Sequence, residues 1–242
     1  PQIDLGTGHL IGAEALVRWH HPEQGLIPPD RFIQLAEDTG LIIELGERVL
    51  RAACRQAVDW LASGVPIERI AVNVSAYQVQ RSDFVATVRR ALAETGLPPR
   101  HLELEVTESF IMGQAESGIR ALHELREMGV RLAVDDFGTG YSSLGYLKRL
   151  PIHMLKIDRS FVRDLDGDAE GLAIAKAVIA LGRTLGLKVI AEGVERDRQA
   201  GLLRAEGCHY GQGYLFGRPV EGAAFARRWT ATTPAPRAQA SL

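Results

Sequence analysis

With 242 residues, 46% of them hydrophobic and 24% charged, the chain can bury one large core, and an α/β barrel uses this length as a single domain. A formal net charge of -2 gives no electrostatic reason to expect duplex nucleic acid, although a local group of arginines would suit a small phosphate ligand. The sequence has no signal-peptide pattern and no uninterrupted run of about 18 apolar residues, which argues against a membrane-spanning helix and for a cytoplasmic domain.

Cys54 and Cys208 lie far apart, with no CxxC pairing and no His at metal-ligand spacing, so both are expected to be buried thiols. The start at Pro1 without an initiator Met suggests a piece of a longer protein, with a shortened first strand and sensory or regulatory domains upstream. Such a protein could be anchored to a membrane through those segments.

In chain order, residues 11–19 read as a strand bearing Glu14, and Pro28-Pro29-Asp30 opens a helix through Phe32, Ile33, Leu35 and Ala36 that Gly40 closes. Residues 41–62 keep helical apolar spacing and stop at Ser63-Gly64. Residues 70–75 form a β-branched run interrupted by Asn73, residues 84–94 are helical, and residues 101–106 are again a strand. A helix over 119–128 ends at Gly129, and a strand over 130–134 terminates in Asp135-Asp136. Residues 152–157 form the strand carrying Lys156, and an apolar helix over 173–185 ends at Gly186. A strand over 187–191 then ends in Glu192-Gly193, a helix covers 196–206, and a short strand over 208–211 precedes Gln212. Residues 1–229 form the domain, and residues 230–242, without periodicity, read as a disordered tail.

Strands that alternate with helices pair in parallel through right-handed crossovers, and about eight such units fit a closed barrel. The chemistry follows from what stands at the strand ends. Glu14, Glu105, Asp135, Asp136 and Glu192 supply carboxylates and Asn73 a carbonyl oxygen, a hard-oxygen set that favours Mg²⁺ or Mn²⁺ over Zn²⁺. Five carboxylates in one pocket need protons or cations to compensate them, and cations are the simpler solution. Taken singly, each position has a blander reading. Glu14 alone would face solvent, Asn73 would satisfy a neighbouring backbone group, Asp135-Asp136 would be a turn and Lys156 a snorkelling surface lysine. Their joint placement at successive strand ends is what makes them a site.

The same residues resemble the EAL-domain family of cyclic di-GMP phosphodiesterases. The likeness runs in order through Glu14-Ala15-Leu16, Asn73-Val74-Ser75, Glu105-Val106-Thr107-Glu108 and the segment from Asp135-Asp136-Phe137-Gly138 to Leu144. It continues through Lys156-Ile157-Asp158 and Ala191-Glu192-Gly193-Val194-Glu195 to Gly211-Gln212-Gly213-Tyr214. The resemblance implies a modified TIM (β/α)8 barrel with one antiparallel strand, which hydrolyses cyclic di-GMP to linear 5'-pGpG with two Mg²⁺ or Mn²⁺ ions.

By the same resemblance, Glu14, Asn73, Glu105 and Asp135 match the ligands of one metal, and Asp135, Asp136 and Glu192 the surroundings of the second. Lys156 and Glu192 match residues that handle the nucleophilic water, with the proton acceptor left open between them. Arg18 matches a phosphate-contacting position, Leu16 is placed with it on the substrate side, and Gln212 matches a supporting polar residue. Glu108 matches the residue that holds the loop after Asp135-Asp136 and couples it to a homodimer interface. Glu195 divides evenly between support and structure. Tyr141, Tyr146, Tyr214 and Phe216 suit core packing better than guanine stacking. The alternative to an enzyme is a silent cyclic di-GMP receptor, which in this family usually shows a damaged motif; none is visible here.

Overall fold

The computed structural model describes residues 1–112, 116–140, 147–163, 165 and 169–230. Strands β1 (Gln2–Asp4) and β2 (Leu10–Ala15) begin the chain, and β3 (Trp19–His21) and β4 (Gly25–Ile27) form a separate antiparallel hairpin. Then come β5 (Arg69–Asn73), β6 (Leu102–Thr107), β7 (Arg131–Phe137), β8 (Met154–Ile157), β9 (Lys188–Ala191) and β10 (Tyr210–Gln212). Eight of these strands close a barrel in the order β1-β10-β9-β8-β7-β6-β5-β2. β1 runs antiparallel to both its neighbours, and every other barrel pair is parallel. The expected α/β barrel with one antiparallel strand is therefore the observed fold.

The strand sequences explain how the barrel holds a polar centre. Side chains alternate along a strand, so Leu102, Leu104 and Val106 of β6 pack into the main apolar core while Glu103 and Glu105 are buried on the opposite face. Ala133, Met154, Ile190 and Tyr210 join Ile11 in a second, smaller cluster. Each of these four stands two residues before a candidate site residue, which makes them the layer directly beneath the site. Glu103 is tolerated in that layer because Arg69 Nε lies 3.0 Å from its Oε1, with the guanidinium 5.0 Å from the Tyr210 ring centre. Gly12 leaves room for this arginine, since a Cβ there would sit 2.7 Å from the Arg69 carbonyl oxygen.

Ten α-helices are seen among the described residues. α1 (Ile33–Asp38), α2 (Ile42–Ala62), α3 (Ala76–Arg81), α4 (Phe84–Thr95) and α5 (Glu108–Met112) precede α6 (Glu116–Glu127). They are followed by α7 (Arg159–Arg163), α8 (Ala169–Leu185), α9 (Asp197–Ala205) and α10 (Gly222–Thr230). Among the described residues, no helix is long and apolar enough to cross a membrane.

Several expected bounds shift for local reasons. The strand expected over 11–19 ends at Ala15, and Trp19 instead opens the hairpin, where it meets Phe32 edge-on at 5.8 Å. The helix expected from Pro28 is a 3-10 turn over Pro29–Arg31 followed by α1. α3 was not anticipated because Ser75, read as a strand residue, caps it: its Oγ accepts from Tyr77 N at 3.1 Å while Gln78 Oε1 accepts from Ser75 N at 3.0 Å. Both cysteines are free and buried, and burial pushes their thiols up to about 12. The tail expected beyond residue 230 lies outside the described residues.

Candidate active site

Lys156 is fully buried at the C-terminal end of β8. Its Nζ lies 2.6 Å from Glu105 Oε2, 2.6 Å from Glu192 Oε1 and 3.0 Å from Asp135 Oδ2. Burial disfavours the ammonium, but the carboxylates of Glu105, Glu14, Glu192 and Asp135 together raise its pKa well above the ordinary lysine value. The lysine is thus held charged, and it is outnumbered. Burial pushes Glu105 well above the usual carboxylate range, with Glu14, Asp135 and Glu192 adding to the effect against Lys156. Burial likewise pushes Glu192 up to about 7, opposed by Lys156 and reinforced by Asp135 and Glu14.

Glu14, near the end of β2, has a different environment. Its Oε1 accepts from Asn73 Nδ2 at 2.6 Å and its Oε2 accepts from Gln212 Nε2. Burial acts to raise its pKa, yet Lys156 and the two amide donors outweigh it and the carboxyl is held below the ordinary range. Residues from β2, β5 and β10 are thereby joined at one end of the barrel.

Asp135 and Asp136 both reach the site region because the backbone breaks its alternation there. Asp136 has φ 54°, the one left-handed non-glycine residue among those described, and the β7–β8 register shifts between Val134 and Phe137. Asp136 N donates to Asp135 Oδ1 at 2.9 Å. Burial, with the Asp135 and Asp158 carboxylates, raises the Asp136 pKa. Asp158, which the motif alone leaves without a role, belongs to the acidic group because its carboxylate is among the charges that raise the Asp136 pKa.

The segment after this pair is tied to α5. Buried Glu108 accepts at Oε2 from Gly138 N at 2.8 Å and from Gly140 N at 3.4 Å. Gly138 has φ 103°, which a side chain rarely adopts. Tyr141, Tyr146 and the remainder of the loop expected at the dimer face, residues 141–144, lie outside the described residues.

A cavity of about 630 Å³ opens above, walled by Glu14, Leu16, Arg18, Arg159, Glu192 and Gln212. Arg18 Nη1 donates to the Val17 carbonyl at 2.8 Å, which braces the side chain on the cavity wall. Arg159 went unnoticed in the sequence, where a lone arginine after Asp158 carries no signal of its own. Tyr214 is not packed in the core as expected: it is 52% exposed at the rim, with the Arg218 guanidinium 4.2 Å from its ring centre. Phe216 does pack against the core. Glu195 lines the cavity and is exposed, before the N-cap of α9 rather than within it.

The family model described as the EAL domain matches residues 1–219. The chain belongs to the EAL domain family. It is 51% identical over 220 residues to the bifunctional diguanylate cyclase/cyclic di-GMP phosphodiesterase MucR of Pseudomonas aeruginosa, covering 91% of this chain and 32% of MucR. It is 49% identical over 224 residues to the cyclic di-GMP phosphodiesterase NbdA of the same organism, covering 93% of this chain and 29% of NbdA. The chain therefore spans about a third of the length of these curated relatives. The solved PaMucR phosphodiesterase in complex with c-di-GMP superposes with a TM-score of 0.89 at 50% identity, covering 93% of this chain and 91% of that one.

In this EAL domain, the triplet Glu14-Ala15-Leu16 straddles the end of β2, so its Glu enters the polar centre while Leu16 stands on the cavity wall. The donor set fits hard divalent cations. Its ligating atoms are all oxygens, and two buried acceptors, Glu105 Oε1 and Gln212 Oε1, have no hydrogen-bond partner within the protein. Among the described residues no three acidic, His or Cys side chains are gathered into a ready cation site; Lys156 takes the point on which three carboxylates converge.

Proposed function

We propose that this EAL domain hydrolyses cyclic di-GMP to linear 5'-pGpG with two Mg²⁺ or Mn²⁺ ions per site. The observation that carries the reading is the buried Lys156 ammonium ringed by Glu105, Asp135 and Glu192 beneath a cavity that also presents Arg18 and Arg159. The names of MucR and NbdA support the same substrate. Glu14, Asn73, Glu105 and Asp135 would hold one ion, and Asp135, Asp136 and Glu192 the other. When bound, the ions supply an activated water and neutralise charge on the phosphoryl oxygens.

The chain's own residues divide the remaining work. Lys156 would orient Glu192, 2.6 Å away, and balance negative charge. Glu192, on the cavity wall and in contact with Lys156, would share with it the handling of the nucleophilic water. Arg18 binds a substrate phosphate from the cavity wall, with Leu16 beside it. Gln212 and Asn73 hold the Glu14 carboxylate in one orientation by bonding both its oxygens.

The test is incubation of the purified domain with cyclic di-GMP and Mg²⁺ or Mn²⁺, with an EDTA control, followed by chromatography of the nucleotides. Metal-dependent pGpG is the expected product. Tight binding of cyclic di-GMP with no product would replace the enzyme by a silent receptor.

Two further results are expected. Glu108→Ala frees the Gly138 and Gly140 amides, so Mn²⁺ affinity and kcat should each fall about tenfold while the barrel's melting temperature changes little; isothermal titration and the nucleotide assay measure both, and full retained activity would refute the role. The second concerns pH. A carboxyl whose folded pKa is raised stabilises the fold below its unfolded value, and that contribution is lost as pH rises through the folded value, about 7 for Glu192. Cations replace those protons, so the melting shift on adding Mn²⁺ should be larger at pH 8 than at pH 6. Equal shifts would count against cation binding by these carboxylates.

A further inference from the structure

Gln199, in the first turn of α9, is 1% exposed and uses every hydrogen-bonding position of its amide. Its Oε1 accepts from Glu195 N at 2.8 Å and from Arg196 N at 2.9 Å, backbone donors at the start of α9. Its Nε2 donates to the Val162 carbonyl at 2.8 Å and to the Arg163 carbonyl at 2.9 Å, acceptors at the end of α7. One side chain therefore satisfies backbone groups left over at the N-terminus of one helix and at the C-terminus of another. Arg196 Nη2 adds a bond to the Arg163 carbonyl at 2.5 Å.

The two segments joined this way are those that leave β8 and β9, the strands that place Lys156 and Glu192. They meet a second time nearer the site. Gly193, with φ 67°, lies so close to Arg159 that a Cβ would be 2.7 Å from the Arg159 Cβ. On its other side the same segment is held by β10 and the residues after it: Val194 N donates to the Gln212 carbonyl at 3.0 Å and Leu215 N to the Val194 carbonyl at 3.1 Å. Strand pairing fixes the backbone at Glu192, whose N donates to the Ile157 carbonyl at 3.1 Å, and the packed joint with one amide at its outer end holds the segments that continue from it.

We propose that Gln199 is a positioning residue, which sets the Lys156–Glu192 contact by clamping the segment after β8 to the segment after β9. The proposal rests on the phosphodiesterase reading for its kinetic consequence only; its geometric consequence stands without it. A misplacement of about 1 Å at reacting groups costs about 100-fold in rate, so even a slight opening of the joint should be measurable.

The decisive variant is Gln199→Glu. A carboxylate keeps both acceptor bonds to Glu195 and Arg196 N–H, and it suits a helix N-terminus, but it cannot donate to Val162 or Arg163. It severs the bridge and leaves the cap. Expected are a kcat at least about tenfold lower, a KM for cyclic di-GMP within about twofold of the parent, and a Lys156–Glu192 distance visibly longer in its crystal structure than in the parent's. Leu125→Ala, a buried core truncation on α6, serves as the control for lost stability alone and should keep the parent kcat.

Parent kcat in Gln199→Glu, or an unchanged Lys156–Glu192 contact, would overturn the proposal. So would an equal loss of kcat in Leu125→Ala. Failure of both Gln199→Glu and Gln199→Leu to fold would make the residue a fold determinant only, which also overturns it. If the parent itself yields no product, the phosphodiesterase reading falls, and the crystallographic distance still decides the positioning role.

Discussion

Lys156→Met is expected to lower kcat for cyclic di-GMP by about 1,000-fold and to destabilise the cation-free protein by about 3–5 kcal/mol at pH 8. Both effects follow from one geometry. The ammonium is fully buried and touches Glu105, Asp135 and Glu192 at 2.6–3.0 Å, so an isosteric apolar side chain leaves three carboxyls facing one another without their cation. Two of them, Glu105 and Glu192, already have raised pKa values with the lysine present; without it they rise further and stay protonated near neutral pH. The stability loss should accordingly shrink from pH 8 to pH 6, and the variant's activity should not be recovered by added Mn²⁺. Thermal melts at the two pH values and initial-rate assays measure each part. A variant that keeps a tenth of the parent kcat would remove Lys156 from the chemistry.

Glu14→Ala is expected to abolish turnover to a similar extent while leaving the fold intact. Glu14 is the acceptor shared by Asn73 and Gln212, so its loss releases both amides and deletes one ligand of the proposed site. The lost hydrogen bonds cost about 1 kcal/mol each, but removing one of several crowded carboxylates relieves the repulsion that Glu14 exerts on Glu105 and Glu192. Stability should therefore change by less than about 2 kcal/mol in either direction, with Mn²⁺ affinity strongly reduced. A melt and a titration calorimetry experiment separate these. Loss of the fold would show that Glu14 serves the barrel rather than the site, and full metal affinity would remove it from the ligand set.

The contrast between these two variants reflects how the barrel is built. Lys156 is the internal counter-charge of the polar centre, so its loss is expected to affect folding as well as turnover; Glu14 adds to a surplus of negative charge that the fold tolerates. The Arg69–Glu103 pair one layer below has the structural role alone, being fully buried with the Tyr210 ring beside it.

Much of this was legible in the sequence. The alternation of apolar strands with periodic helices showed the barrel because each strand is short, buried on both faces and punctuated by Gly or Pro. The candidate residues were legible because Asn73, Glu105, Asp135, Lys156 and Glu192 each interrupt or end such a run, where a polar side chain is costly unless it works together with others. α3, α5 and α7 were missed because five or six residues are too few for a 3.6-residue period to show. The hairpin Trp19–His21 and Gly25–Ile27 was missed because strands of three residues are too short for alternation to show.

By itself, then, the sequence determined the family, the closed α/β barrel, the strand ends at which the candidate residues stand and the excess of carboxylates among them. Those are properties of local pattern and residue type. Only the tertiary structure decided that Lys156 pairs with Glu105, Asp135 and Glu192, that Glu14 gathers Asn73 and Gln212, that Asp136 turns left-handed beside Asp158, and that Gln199 joins two segments of the site. These depend on barrel closure, which brings residues as distant as Glu14 and Gln212 into contact, and on burial, which converts a list of acids into pKa values on both sides of the ordinary range.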